Sequence, residues 1–275
     1  MLLMPMHKRC FIYYSASFII LHIRCLADRQ IFRMKHNMEN NLMQQDDAAE
    51  FNKKLTDEQP SGFHLEHNAI STQVWNVIEH WLSSNMLPAS INNEPTKNNL
   101  IHVPIPWQAG SQGRRVAQFG SCKYDYINDD AVLCDPSTMI PIPTYIRQVL
   151  LENEDDGAHY SQCIINVYDA QNIIPWHVDH NKFGEKVLVY TFGEERPLLL
   201  RTPISHKDDK SIVYGSIGLP HPEEEYTFHT TRVYPRHCSK YILEGSARND
   251  WEHSVPAGSG KRVSITFRSW RGQEE

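Results

Sequence analysis

The chain has 275 residues and a formal net charge of −6, with 40% hydrophobic and 22% charged residues. That composition is close to an ordinary globular protein and excludes a disordered chain, a collagen and a multi-span membrane protein. The charge argues against a protein that coats nucleic acid through bulk electrostatics. The acids are uneven, however: residues 1–40 carry 6 basic and 2 acidic residues, 41–195 carry 9 and 21, and 196–275 carry 12 and 10.

The first segment in chain order is apolar. Residues 10–23, CFIYYSASFIILHI, follow Lys8 and Arg9 and precede Arg24. The run is too short for a membrane span and has the length of a signal-peptide core. Three readings stay open: an extension without structural role, with Met34 or Met38 as the start; a mitochondrial or secretory targeting segment over residues 1–27; or a packed part of the fold. Residues 36–62 are rich in Asn, Gln, Asp and Glu and end in Pro60-Ser61-Gly62, the pattern of a flexible linker. The chain therefore divides into a disordered or targeting extension, 1–60, and one domain, 61–275, long enough for a real core. The six cysteines form no CxxC pair, which fits reduced thiols in an intracellular protein.

The spacing predicts a helix over 71–87, with Val74, Ile78, Trp81 and Leu82 on one face and Ser71 or Thr72 as N-cap. A Pro- and Asn-rich loop follows over 88–113. A second helix is predicted over 143–152, with Ile146, Val149 and Leu150 inward. From about residue 160 the texture turns to short β-branched or aromatic runs: 162–168, 186–192, 197–201, 226–234, 240–244 and 262–268. Two helices followed by strands fit an α+β protein with an antiparallel sandwich or jelly roll.

The last strand is the most informative segment. Side chains alternate along it, so Arg262, Ser264, Thr266 and Arg268 share one face and Val263, Ile265 and Phe267 the other. The apolar face needs a core. The polar face is either half-solvated or one wall of a pocket for a dianion, because guanidinium forks suit carboxylates. In QCIINVY, Asn166 and Tyr168 likewise share a face and supply directional hydrogen bonds.

His177 and Asp179 also lie two apart and project the same way from an extended segment. With one further histidine they make a 2-His-1-carboxylate set, which leaves three octahedral positions open and suits non-haem Fe(II). A second HxD, His206-Lys207-Asp208, lies in a charged loop without strand pattern. Three histidines compete for the third place. His253 stands nine residues before Arg262, across the turn Pro256–Gly260, on a strand antiparallel to the arginine strand or just before it. His237 sits in a basic turn and His229 within an expected strand. Spacing favours His253.

Asn166-x-Tyr168, His177-x-Asp179, His253 and Arg262-x5-Arg268, in this order, resemble the AlkB family of Fe(II)/2-oxoglutarate dioxygenases. Arg115-x-x-Gln118-Phe119-Gly120 with Lys123-Tyr124-Asp125-Tyr126 resembles that family's substrate-recognition lid. The likeness covers roughly residues 100–270. One departure is the 74-residue gap from Asp179 to His253, with an insertion near 203–226. The resemblance implies a double-stranded β-helix (jelly roll) core flanked by N-terminal helices. It implies His177, Asp179 and His253 as ligands of Fe(II). Arg262 would then hold the C5 carboxylate of 2-oxoglutarate, with Arg268, Asn166 and Tyr168 on its other oxygens. It also implies consumption of O2, release of succinate and CO2, and hydroxylation of an alkyl carbon, which sheds formaldehyde when attached to nitrogen.

The expected substrate is an alkylated or modified base in DNA or RNA, flipped out of its stack. Trp107, Trp176, Phe119, Tyr124 and Tyr126 are the aromatics available to sandwich it, Trp176 foremost as the neighbour of the metal motif, and Arg115 would meet phosphate. Arg114, Lys123, Arg232, Arg236, Lys240, Lys261 and Arg271 are further phosphate candidates. A protein or small-molecule hydroxylase using the same iron site is the alternative. A monomer in nucleus or cytoplasm is expected, without stable membrane insertion and with targeting by residues 1–27 left open.

Overall fold

The computed structural model describes residues 59–89, 91, 99–154, 159–203 and 228–271. Most of the expected extension, much of the 88–113 loop before residue 99, and the insertion with His206 and Asp208 lie outside the described residues.

Fifteen strands occur among the described residues. They are β1 (Phe63–Glu66), β2 (Met86–Pro88), β3 (Leu100–His102), β4 (Trp107–Ala109) and β5 (Arg115–Gly120). Then come β6 (Cys122–Asp125), β7 (Asp130–Leu133), β8 (Gln162–Tyr168), β9 (Ile174–His177) and β10 (Phe183–Gly193). The last are β11 (Leu198–Pro203), β12 (Phe228–Val233), β13 (Ser239–Leu243), β14 (Glu252–Val255) and β15 (Arg262–Trp270). Helices α1 (Thr72–Ser84), α2 (Thr144–Leu151) and α3 (Gly245–Asn249) intervene. A seven-stranded sheet runs β1-β13-β10-β15-β8-β5-β4 and a four-stranded sheet β12-β11-β14-β9, while β2-β3 and β6-β7 are separate pairs. Every pairing is antiparallel. Extensive antiparallel sheets of this kind are consistent with a jelly-roll core.

Ser71 starts α1, its Oγ accepting the Val74 N–H at 3.3 Å. Asn85 ends the helix in the left-handed region at φ 58°. The buried face of α1 carries Trp75, Ile78 and Trp81. The pattern placed Val74 and Leu82 there; both pack only at the edge. Trp75 is central instead, stacked on Phe192 at 4.5 Å. In α2, Tyr145, Ile146, Leu150 and Leu151 are buried.

The two faces of the large sheet do different work. Val263, Ile265 and Phe267 share one apolar cluster with Ile165, Val167, Leu188, Phe192 and the buried faces of α1 and α2. On the opposite face, Val187, Val189, Tyr241 and Leu243 pack against Leu198, Leu200, Val233 and Val255 of the small sheet. The space between the sheets is therefore apolar at one end. Elsewhere Arg262, Ser264, Thr266 and Arg268 line it, in register with Tyr168, Asn166, Ile164 and Gln162. The expected alternation in β15 holds.

Of the two placements left open for His253, the structure shows the second, just before the arginine strand. His253 does not lie on a strand paired with the arginine strand. Its strand β14 pairs with β9 and β11 in the small sheet, and the chain changes sheets across Pro256–Gly260. Among the described residues no helix is long and apolar enough to cross a membrane.

Candidate metal centre

Pairing of β9 with β14 sets His177 directly opposite His253, with ring centroids 4.1 Å apart. Asp179 follows β9 by two residues and is buried. The ligand atoms of His177, Asp179 and His253 all lie within 4.8 Å of one another, so one ion can be reached from all three. His177 Nδ1 donates to the Pro175 carbonyl at 2.9 Å, which leaves Nε2 as the bare nitrogen. Burial lowers the pKa of His177, and burial and then the neighbouring His177 lower that of His253. Both imidazoles are held neutral, the form that donates to a metal.

Asp179 is held as a carboxylate. Burial alone would raise its pKa, but Arg268 first, then His253, Arg248 and His177, keep it well below the usual carboxylate range. Oδ1 is paired with Arg268. Oδ2 is buried without a hydrogen bond. A buried carboxylate oxygen lacking a donor, beside two neutral imidazoles, is a donor set that a divalent cation completes. Arg248 fixes the loop, donating to the Asp179 carbonyl at 2.9 Å and the His180 carbonyl at 2.8 Å.

The polar face of β15 lies across from this cluster. Arg262 is 1% exposed, and its guanidinium carbon sits 5.3 Å from the Tyr168 ring centre. It is hydrogen-bonded to Tyr241, whose hydroxyl burial pushes up to about 12 against the pull of Arg262. Its Nε and Nη1 are buried without a partner. Two unpaired donors on a buried cation are costly unless an anion meets them, so Arg262 fits the carboxylate of a dicarboxylic cosubstrate. Asn166 is buried opposite Ser264, and the Tyr168 hydroxyl lies 3.4 Å from Ser264 Oγ. Arg268 is divided between Asp179 and Gln162 Oε1, the latter at 3.2 Å. The two arginines therefore stand at opposite ends of the pocket wall.

The expected substrate residues separate. Tyr124 and Tyr126 meet edge to face at 5.0 Å on the β6–β7 hairpin. The Tyr124 ring lies 6.3 Å from His180, and its hydroxyl donates to Asp129. Tyr126 borders the pocket: burial raises its pKa, and Arg114, Arg268, Tyr168 and Asp179 all act on its hydroxyl. Arg115 is exposed, its guanidinium 4.8 Å from the Trp107 ring centre.

Two expectations are corrected. Phe119 is 2% exposed and packs on Trp81 in the core, because β5 is an integral strand of the large sheet and not part of a lid. Trp176 neighbours His177 on β9 and so faces the other side of the small sheet. There it stacks on Arg201 at 4.3 Å, and Arg201 pairs with Glu252 at 2.6 Å. Among the phosphate candidates, Arg114 is buried and donates to the Ile173 carbonyl at 2.8 Å. Arg236, Lys240 and Arg271 are paired with acids. Sequence reasoning missed Arg248 and Gln162, since neither has a spacing signal, and met Gln118 only as part of the motif that resembles a recognition lid.

Comparison with known proteins agrees with this geometry. The family model of the 2OG-Fe(II) oxygenase superfamily matches residues 78–268. The RNA demethylase ALKBH9B of Arabidopsis thaliana is 26% identical over 181 residues, 62% of this chain and 32% of that protein. The DNA oxidative demethylase ALKBH2 of the same plant is 27% identical over 124 residues, 41% of this chain and 38% of that protein. The alpha-ketoglutarate-dependent dioxygenase alkB homolog 3 of Rattus norvegicus is 25% identical over 169 residues, 58% and 50% respectively. The chain thus spans a third to a half of the length of these relatives. The family implies Fe(II), 2-oxoglutarate and O2, and the unpaired groups of Asp179 and Arg262 suit the first two. The chain belongs to the 2OG-Fe(II) oxygenase superfamily and is AlkB-like within it.

Proposed function

We propose that this chain is an Fe(II)/2-oxoglutarate-dependent dioxygenase that oxidises an alkylated or modified base in nucleic acid, by demethylation or hydroxylation. Its catalytic domain is residues 61–275, on a double-stranded β-helix core flanked by helices, and it acts as a monomer in nucleus or cytoplasm. The observation that carries the reading is Arg262: a fully buried cation with two unpaired donors, on the sheet facing the one that carries His177 and His253.

His177 Nε2, an Asp179 oxygen and His253 would hold the iron, which with 2-oxoglutarate and O2 supplies the oxidising power to hydroxylate an alkyl carbon. Arg262 would anchor the distal carboxylate of the cosubstrate, and Asn166, Tyr168 and Arg268 would orient its remaining oxygens. The buried rings of Tyr168 and Tyr241 beside Arg262 keep water from the anchored end. Tyr124 and Tyr126 at the pocket edge would stack on an extruded base. The nucleic-acid reading is supported by the relatives, whose names are those of RNA and DNA demethylases.

A protein or small-molecule hydroxylase remains the second reading, favoured by the burial of Arg114 and the acid pairing of Arg236, Lys240 and Arg271. The deciding experiment offers methylated DNA, methylated RNA and a peptide library to Fe(II)-loaded protein and measures formaldehyde and succinate together. Coupled formation with a nucleic acid alone is expected; coupling with peptide alone would overturn the reading.

A further inference from the structure

A row of polar side chains crosses three adjacent strands of the large sheet. Arg268 on β15 is in register with Gln162 on β8, and Gln162 is in register with Gly120 on β5, two residues beyond Gln118. The row is continuously bonded. Arg268 Nη2 meets the Asp179 carboxylate, and its Nη1 donates to Gln162 Oε1 at 3.2 Å. Gln162 Nε2 donates to Gln118 Oε1 at 3.3 Å. Gln118 in turn brackets the Tyr124 peptide: its Oε1 accepts the Tyr124 N–H at 2.7 Å and its Nε2 donates to the Tyr124 carbonyl at 2.9 Å.

Only one orientation of each amide satisfies this set. Turning Gln162 over would set its NH2 against Arg268 and its oxygen against the oxygen of Gln118. Turning Gln118 over would set like against like at both atoms of Tyr124. Gln162 is fully buried, so water cannot relieve such a mismatch. A network with a single satisfied arrangement is rigid and transmits displacement. The hairpin is tied to the same loop at a second point, where Lys182 donates to both oxygens of Asp130 at 2.8 and 2.9 Å.

We propose that Gln118 and Gln162 are positioning residues that join the hairpin peptide at Tyr124 to Arg268 and Asp179, so that seating of the hairpin and loading of the metal and cosubstrate site favour each other. The inference rests on the iron and 2-oxoglutarate reading given above. Coupling between two binding events is reciprocal, so a break at either end must be felt at the other.

The test uses the full chain under anaerobic conditions, with Fe(II) and 2-oxoglutarate as probes. One measurement is the visible charge-transfer absorption of the Fe(II)–2-oxoglutarate chelate, titrated for affinity. The other is hydrogen exchange at the Tyr124 amide. In the wild type, loading should slow that exchange about tenfold, within the usual range of coupling between sites. Gln162→Met should abolish the slowing and weaken 2-oxoglutarate about tenfold, and Gln118→Leu should weaken it similarly from the hairpin end. Gln162→Glu keeps the acceptor for Arg268 and loses the donor to Gln118. It should lose the response at Tyr124 and weaken 2-oxoglutarate as Gln118→Leu does, while still forming the full chelate absorption at saturation, which a general loss of fold would not produce. A wild type with no chelate absorption overturns the functional reading. A normal chelate whose formation leaves Tyr124 exchange unchanged, or a Gln162→Met protein with wild-type affinity and wild-type slowing, overturns the relay alone.

Discussion

Arg262, for which a role in cosubstrate binding is proposed, is an unfavourable residue for the fold alone. A guanidinium at 1% exposure with two unpaired donors costs the fold several kcal/mol, on the order expected for a buried unpaired charge. Arg262→Met should therefore unfold at an equal or higher temperature than the wild type without cosubstrate, while its 2-oxoglutarate affinity falls at least about tenfold, as loss of a charge-assisted bidentate partner requires. Calorimetry with and without 2-oxoglutarate checks both halves; unchanged affinity would remove Arg262 from the site. His177→Ala, Asp179→Ala and His253→Ala should each abolish succinate formation in a folded protein, and full turnover in any one would strike that residue from the ligand set. Much of this was legible, because His177 and Asp179, like Asn166 and Tyr168, are two apart and alternation puts such pairs on one face. Arg248 was not. It acts through carbonyl groups of residues 179 and 180, and hydrogen bonds to a distant backbone leave no pattern in sequence.

Among the elements, β15 and β8 were readable because each is long, β-rich and set off by turn residues. The expected 162–168 coincides with β8. The four-residue β9 and β14 were not readable as strands, since each is too short for a period to show and each takes its conformation from its neighbours. The sheet to which β14 belongs was equally hidden, because a strand's partners are decided by tertiary packing and not by its own residues. Trp176 illustrates the cost of judging by proximity in sequence: adjacent to His177, it lies on the opposite face. On β15, Phe267 is fully buried between the sheet and the helices. Phe267→Ala should cost about 3–5 kcal/mol, measurable as a lower denaturant midpoint with the slope unchanged. A loss below about 1 kcal/mol would mean that this face is not core.

At the scale of the whole molecule, one clasp holds the crossing between sheets. Arg196 is buried and donates to Glu194, to the carbonyls of Asn172 and Asp169, and to that of Gly260. Glu194 accepts from the Ser259 N–H and hydroxyl, both at 2.6 Å. Burial opposes ionisation of Glu194, but the bonds from Ser259, Gly260 and Arg196 outweigh it and lower its pKa to about 2. The folded value lies below the unfolded one, near 4.5. The clasp therefore stabilises fully above about pH 4.5, and this contribution, on the order of 2 kcal/mol, is lost as the pH falls towards 2. Glu194→Gln should flatten that part of the stability curve; a variant with the wild-type acid limb would show that the clasp does not titrate there.

The same crossing bears on how such a protein can vary by descent. His253 and Arg262 are separated by nine positions and belong to opposite sheets, with Pro256–Gly260 between them. Because alternation has a period of two, loss or gain of one codon in that stretch would either strain the clasp or rotate Arg262 out of the pocket. The proposed metal donor and the proposed cosubstrate anchor are thus tied to one another by a fixed spacing. The β6–β7 hairpin lies outside that spacing, and its tip at Ile127 is exposed, so a change there leaves the crossing untouched.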